Sequence, residues 1–476
     1  MHFYYNIFNK LYSNNLYRNI TYFFIFFIII FSLHSGITDD DFYYYAAAAT
    51  YGKLYVDINY SYFPGSYLIN KFLFYISPSN YEYLVMRLAS ILFYIFSILA
   101  LQSLLKSKEK SLVFIFMSYF YASFVSFEIG SSTSALFFFV ISYIFYFEKK
   151  KNRTNFFLGA LFLGMSISVR ATYLVMILPF LILLIKKNNF KNLIFYSFLG
   201  GFAGLSPVIF YLLFDLDTFL FWTVKYHTIH IEAYKFFSIQ DYLINLTKLF
   251  KKYYYPIVIL FSFSFFNSFT SKSNSDKKKE LSILFFLFIA GCLTLTAYKQ
   301  YFEPFIIILI YFSLKTINFS KDKIIFYIVL IFGFFHYLLD NRLLDFKRLN
   351  LAYNYFSVQD VRLFLKNNFL DKKCSIKTRT AATIFIPDNF IQHKHNLLGI
   401  YFERLRAYPN KIEPYNKYYD NTLLTFDYDN SEFNSILVGY YINHSFDSQL
   451  VQYAKNKNWE KYSYKGLDFY IDKNCI

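Results

Sequence analysis

What most constrains this chain is an alternation. Long apolar runs are separated by short gaps, and every second gap carries a cluster of Lys and Arg. Apolar runs of membrane-spanning character fall at about 20–35, 84–104, 111–127, 132–147, 154–169, 171–185, 192–214, 253–270, 281–297, 304–316 and 324–339. The sequence therefore predicts a polytopic α-helical membrane protein with about 11 transmembrane helices. Lys106, Lys108 and Lys110 follow the second run, Lys149–Lys151 with Arg153 follow the fourth, and Lys186, Lys187 and Lys191 follow the sixth. "SKSNSDKKKE" (271–280) and "KDK" (321–323) continue the series. Cytoplasmic loops concentrate Lys and Arg, so the N-terminus, with Lys10 and Arg18, is read as cytoplasmic. The gaps 36–83 and 215–252, and everything after 340, then face outward. "SLHSG" is a poor cleavage site, so the first run is read as an anchor rather than a signal peptide.

At 476 residues, 56% hydrophobic and 24% aromatic, the chain carries too little polar surface for a soluble protein of its size. The abundance of Phe and Tyr beside Lys, Asn and Ile reads as the composition of an AT-rich genome. A net charge of +17 raises the question of nucleic acid. The basic residues are dispersed between apolar runs rather than gathered in one patch, so no nucleic-acid partner is expected.

The outward segments have structure of their own. Residues 38–52 read as a helix capped by Thr38 and stopped at Gly52, and 66–76 as a second short amphipathic helix closed by "SPSN". Both would lie on the membrane surface. Beyond about residue 345 the chain turns polar. "VQDVRLFLKNNF" and "SQLVQYAKNKNW" read as helices, "CSIKTRTAATIFI" and "NSILVGYYI" as strands, and "KYSYKGLDFYI" as a hairpin turning at Lys465-Gly466. The expected organisation is a transmembrane domain over 1–345 and a small C-terminal α/β extracytoplasmic domain over 346–476. Cys374 and Cys475 fall in the latter, where either a bridge or two thiols would fit.

Chemistry-bearing residues gather at the outward ends of the runs. Asp39, Asp40 and Asp41 follow directly on the first run. Acids in a first helical turn cap and complement the helix dipole. That accounts for one or two acids, but three repel one another. Arg87 heads the second run and Arg170 sits in the outward turn of "SISVRATYLVMILPF". Lys225, His227, His230 and Glu232 share the loop "FWTVKYHTIHIEAY", and Lys299 and Glu303 the turn "AYKQYFEPF". Charges at that depth are functional, paired or snorkelling to headgroups. "HTIH" is read as a loop or phosphate contact ahead of half a metal site. A carboxylate cluster facing cations suits transfer of a sugar from a lipid phosphate. An acceptor hydroxyl needs a base, and a departing phosphate needs cations. Asp40 or Asp41 would be the base, with Arg170, Arg87, Lys299, Lys225 and His227 as candidate phosphate contacts. Tyr44, Tyr301 and Asp57 are the candidate substrate contacts. No cofactor is required, unless Asp39 and Asp41 hold a divalent Mg or Mn ion against the phosphate.

These motifs, in this order, resemble the GT-C superfamily of integral-membrane glycosyltransferases, near the protein O-mannosyltransferases and lipid A aminoarabinose transferases. "DDFYYYAAAA" (40–49) is similar to that family's acidic pair and small-residue helix after the first span, with Asp41 where the family has Glu. "PGSYLINKFLFYI", "RLASILFYIFSILA", "GMSISVRATYLVMILPFLILL" and "YKQYFEPFIIILIY" are similar to its surface helix, Arg-headed second span, Arg-ended Gly-rich span and late Tyr-x-x-Pro span. The likeness covers roughly residues 20–320. It implies an inverting transferase using a polyprenyl-phosphate sugar, with a glycolipid, polysaccharide or protein acceptor in the cell envelope and Asp40 as the base. The Asp39-x-Asp41 reading would point to a metal-dependent branch instead. A transporter or flippase for envelope lipids shares the span pattern but tends to carry midplane charges or repeated halves. A surface-polysaccharide polymerase or ligase would not need the aspartates. The expected location is the bacterial inner (plasma) membrane.

Overall fold

The computed structural model describes residues 15–34, 39–49, 52–55, 58, 60–105, 110–111, 113–115, 118, 129–149, 152–185, 190–228, 239–250, 274–293, 299–316, 355–369, 376–377, 435–438, 445–465 and 467–473. The expected spans at 253–270 and 324–339, most of 111–127, and Thr38, Asp57, His230, Glu232, Cys374 and Cys475 lie outside them.

The architecture is mainly helical. Helix α1 (Asn15–His34) is the first apolar run, followed by α2 (Asp39–Ala49) and α3 (Pro64–Ile76). Helix α3 starts two residues before its expected beginning because Pro64 occupies the first turn, where a missing N–H costs nothing. Then come α4 (Glu82–Ser103) and α5 (Ser131–Tyr143), whose last turn widens into a π-helical segment, Ile144–Glu148. Helix α6 (Arg153–Val169) ends at Arg170, and the chain restarts as a 3₁₀ segment, Ala171–Met176, leading into α7 (Ile177–Ile185). Among the described residues, α4 and the continuous Ser131–Glu148 helix are long and apolar enough to cross a membrane. The run expected as one span at 192–214 is α8 (Phe190–Gly204) and α9 (Ser206–Phe214), bent by 63° between them, with Pro207 opening α9. Helices α10 (Leu216–Leu220), α11 (Ile239–Leu249), α12 (Asn274–Cys292) and α13 (Lys299–Thr316) follow.

Near the C-terminus, α14 (Tyr355–Phe369) and α15 (Ser445–Asn456) accompany a four-stranded sheet of β1 (Ile376–Lys377), β2 (Ser435–Val438), β3 (Glu460–Tyr464) and β4 (Leu467–Ile471), in the order β1-β2-β4-β3. β1 and β2 are parallel, and the other pairs are antiparallel. The β3–β4 hairpin turns where expected, with Tyr464 opposite Leu467 and Lys465 at φ 48°.

Two cores organise these elements. One packs apolar side chains of α4–α6, α12 and α13, such as Leu136, Phe139, Leu163, Leu287 and Ile307. The other is aromatic. It joins Tyr43–Tyr45, Tyr60, Tyr67, Tyr83, Phe219, Trp222 and Tyr226 with Val358, Val361 and Leu365 of α14 and Phe469 and Ile471 of β4. The C-terminal elements therefore share a core with α2 and α3.

Helices α6 and α8 pack with their backbones nearly touching. A Cβ on Gly204 would lie 2.1 Å from the Leu161 carbonyl oxygen, and one on Gly200 2.1 Å from that of Phe157. The GxxxG spacing of Gly200 and Gly204 is what allows this approach. Ser168 Oγ donates to the Gly204 carbonyl at 2.8 Å, so the contact also fixes the end of α6 that carries Arg170. Gly204→Ala is expected to destabilise the protein by about 1–3 kcal/mol, since two backbones must separate. A lowered thermal midpoint in detergent checks this, and an unchanged midpoint contradicts it.

Candidate active site

Helix α2 carries three consecutive tyrosines after its acidic first turn, and successive residues on a helix point about 100° apart. The three hydroxyls accordingly reach three different elements. Tyr43 Oη receives the Ser61 amide at 2.8 Å and contacts Ser61 Oγ at 3.3 Å. Tyr44 Oη donates to Ser131 Oγ at 3.0 Å. Tyr45 Oη accepts from the Arg362 guanidinium. The C-terminal end of α2 is held by Lys71, whose ammonium donates to the Ala48 carbonyl at 2.7 Å. A cation there also complements the helix dipole.

The Tyr44 contact places α2 against the first turn of α5. That turn, Ser131–Ser134, is buried, and its N-cap residue Gly130 provides no side-chain cap. The next serine along takes the arginine: Arg170 Nη1 donates to Ser132 Oγ at 2.6 Å. The guanidinium also lies 4.4 Å from the ring centre of Tyr301, in the first turn of α13. Arg170 can reach this position because α6 stops at Val169 and Arg170 is extended. Thr133 Oγ1 and the Tyr173 hydroxyl are both buried with no hydrogen-bond partner among the described residues. Tyr173 lies within electrostatic reach of Arg170 and Glu303.

The structure thus brings Tyr44, Arg170 and Tyr301 to one helix end. Asp40 and Asp41 precede Tyr44 by four and three residues, so the α2 backbone places them on the face that Tyr44 presents to α5. Asp39 is one position further round, on the Tyr43 side. Lys299 is the first residue of α13, two before Tyr301. Other candidates sit elsewhere. Arg87 is fully buried and donates to the Tyr83 hydroxyl, beneath Tyr45. Lys225 is exposed at the end of the π-helical segment Phe221–Lys225. His227 Nε2 donates to the Ser61 carbonyl at 2.5 Å, and burial pushes its imidazole below the ordinary value. Its geometry steadies the 60–62 segment rather than supplying a cation. Among the described residues no group of three His, Cys, Asp or Glu side chains could hold a metal ion.

The residues that sequence reading missed are the hydroxyls of "GSSTS" (130–134), together with Lys71, Tyr45 and Arg362. The cluster of hydroxyls opening an apolar run was the available signal. Lys71 yields a pH prediction. Burial lowers its ammonium from 10.5 to about 8, so the folded state disfavours a charge that the unfolded chain keeps until about 10.5. Between these values the unfolded state binds more protons, and stability rises with pH. The thermal midpoint of the wild type relative to Lys71→Met is expected to climb from about pH 8 to about pH 10. A pH-independent difference contradicts this.

A helical membrane architecture with arginine, tyrosine and an acidic helix meeting at one helix end defines the class to compare. No family model matches the sequence, and no curated protein matches it. Among solved structures the chain is similar to ArnT from Cupriavidus metallidurans, crystallised bound to undecaprenyl phosphate. The TM-score is 0.56 at 10% identity, covering 96% of this chain and 98% of that one. At that identity the likeness shows a shared overall fold, along nearly the whole length of both chains.

Proposed function

We propose that this protein is an inverting glycosyltransferase. It moves a sugar from a polyprenyl-phosphate donor to an envelope acceptor, either glycolipid, polysaccharide or protein, on the extracytoplasmic side of the inner membrane. The observation that carries this reading is the pair of adjacent serines opening α5. Ser131 receives the acidic helix through Tyr44, and Ser132 receives Arg170. A buried helix N-terminus beside a guanidinium is a natural phosphate site. The fold's likeness to a protein crystallised with undecaprenyl phosphate supports a lipid-phosphate ligand.

In this mechanism Asp40 removes the proton from the acceptor hydroxyl. The oxygen attacks the anomeric carbon on the face opposite the phosphate, and the bond from that carbon to the phosphate oxygen breaks. The lipid phosphate leaves with the electron pair, stabilised by Arg170 and the first-turn amides of α5. Asp41 follows Asp40 in the same acidic turn, and Lys299, the first residue of α13, is proposed as a second cation for the phosphate. The same proposal keeps the N-terminus cytoplasmic and assigns 1–345 to the transmembrane part and 346–476 to the outward part.

The test is a comparison of envelope lipids and glycans between the wild type and a deletion strain by mass spectrometry. The reading expects a sugar-sized increment to vanish while the polyprenyl-phosphate sugar accumulates. Identical profiles with no accumulation overturn it. Transfer is also expected to persist in EDTA, because the leaving phosphate is met by Arg170 and backbone amides. Loss in EDTA with recovery on added Mg would instead assign Asp39 and Asp41 to a metal.

A further inference from the structure

Helix α2 has 11 residues and begins with three like charges. A helix that short is marginal by itself, and its own sequence does not fix its rotation about its axis. Rotation matters here, because helix register puts positions 40 and 41 on the same side of α2 as Tyr44. The restraint on the far side is Tyr45, and what holds Tyr45 comes from the other end of the chain. Arg362 of α14 is 1% exposed. Its guanidinium donates from Nη2 to the Tyr45 hydroxyl and from Nη1 to Glu82 Oε2 at 2.9 Å, the carboxylate itself being almost wholly buried. Glu82 in turn accepts the Asn80 amide at 2.7 Å on its other oxygen, and Gln359, one turn before Arg362, donates to the Asn80 carbonyl at 2.5 Å. The guanidinium is thus seated by a carboxylate that is itself seated, and it presents its other terminal nitrogen, Nη2, to α2.

We infer that Arg362 is a positioning residue for the transfer reaction. By clamping Tyr45 to Glu82 from the C-terminal segment, it sets the rotation of α2 and so aims Asp40 at the Ser131–Arg170 end of α5. This inference rests on the proposed function. The clamp makes the C-terminal elements part of the active machinery. The same α14 carries the sheet, with Phe364 stacked on Tyr464 at 4.3 Å and Asp360 paired with Lys465 at the hairpin turn. Docking of that segment and alignment of the base are therefore one event. Arginine suits the role because one planar group must satisfy a carboxylate and a phenol at a fixed angle.

The experiment uses the full-length protein with Tyr45→Phe, Arg362→Lys and, as control, Gln452→Ala on the exposed side of α15. Three quantities are read: transfer in the deletion strain at matched membrane levels, the Kd of purified protein for undecaprenyl phosphate, and the thermal midpoint. Tyr45→Phe keeps the ring and the Arg362–Glu82 pair. It is expected to lower transfer about tenfold or more, as misplacing a reacting group does. Its Kd should match the wild type, and its midpoint should fall only by the loss of one buried hydrogen bond. Arg362→Lys keeps one contact and is expected to fall between Tyr45→Phe and the wild type, while Gln452→Ala transfers normally. Wild-type transfer by folded Tyr45→Phe overturns the inference. So does a Kd that weakens in step with transfer, which would make the clamp part of lipid binding. If Tyr45→Phe is unstable, Arg362→Lys decides by the same split. A wild-type protein that neither binds undecaprenyl phosphate nor restores transfer removes the glycosyltransferase reading, and the inference with it. The two failures are therefore distinguishable.

Discussion

Asp40→Asn is expected to lower sugar transfer by about 10²–10⁴-fold while the protein accumulates normally in the membrane. The substitution removes the base and little else. Asparagine has the same shape and remains a good helix-capping residue, so a purely structural role for the acidic turn would survive it. Removing one of three adjacent charges even relieves repulsion within "DDD". The measurement is complementation of the deletion strain, with the missing increment and the accumulated donor quantified together. Asp41→Asn, on the same face but one residue closer to Tyr44, is expected to retain measurable transfer. If Asp40→Asn restores the wild-type profile, the acids are a cap and the base lies elsewhere.

Arg170→Gln is expected to cost about 10²–10³-fold in transfer, the scale of losing one preorganised group that meets developing charge. Glutamine can still bond Ser132, so the loss reports the charge rather than the packing. Arg170→Lys is expected to recover only part of the activity. A lysine cannot donate to Ser132 Oγ while laying a flat cation on the Tyr301 ring, as the guanidinium does at 2.6 and 4.4 Å. Kd for undecaprenyl phosphate should weaken in the glutamine variant. An unchanged Kd together with unchanged transfer would contradict the assignment.

Much of this was legible in the sequence, for identifiable reasons. Arg170 stands out because a charge flanked by apolar runs has few structural uses. The acidic turn stands out because three charges exceed what a cap needs. The hairpin was readable from Lys-Gly between alternating residues, and the short helices α2 and α3 from their Pro, Gly and Ser boundaries. The break in 192–214 was also available, since "GLSPVIF" places a proline where the second half begins. Other features were hidden. Serine and threonine are tolerated inside apolar helices, so "GSSTS" carries no charge signal to mark it. Of the α2 tyrosines only Tyr44 was singled out, and Tyr43 and Tyr45 were lost in a chain with 49 tyrosines. The Arg362–Glu82 pair joins residues 280 positions apart, and no local pattern announces such a partner. His227 was read as a possible phosphate contact from its loop, and only its neighbours reveal a buried ring bonded to Ser61.

The central claim is that the end of α5 where α2 and Arg170 meet is the seat of the lipid phosphate. A structure of the full-length protein with added undecaprenyl phosphate, determined by electron cryo-microscopy, tests it most directly. The account predicts the phosphate within hydrogen-bond distance of Arg170 and the first turn of α5, with Asp40 facing the same space. Phosphate density against Arg87 or Lys225 instead, with the Ser131–Arg170 junction unchanged and empty of ligand, would contradict it.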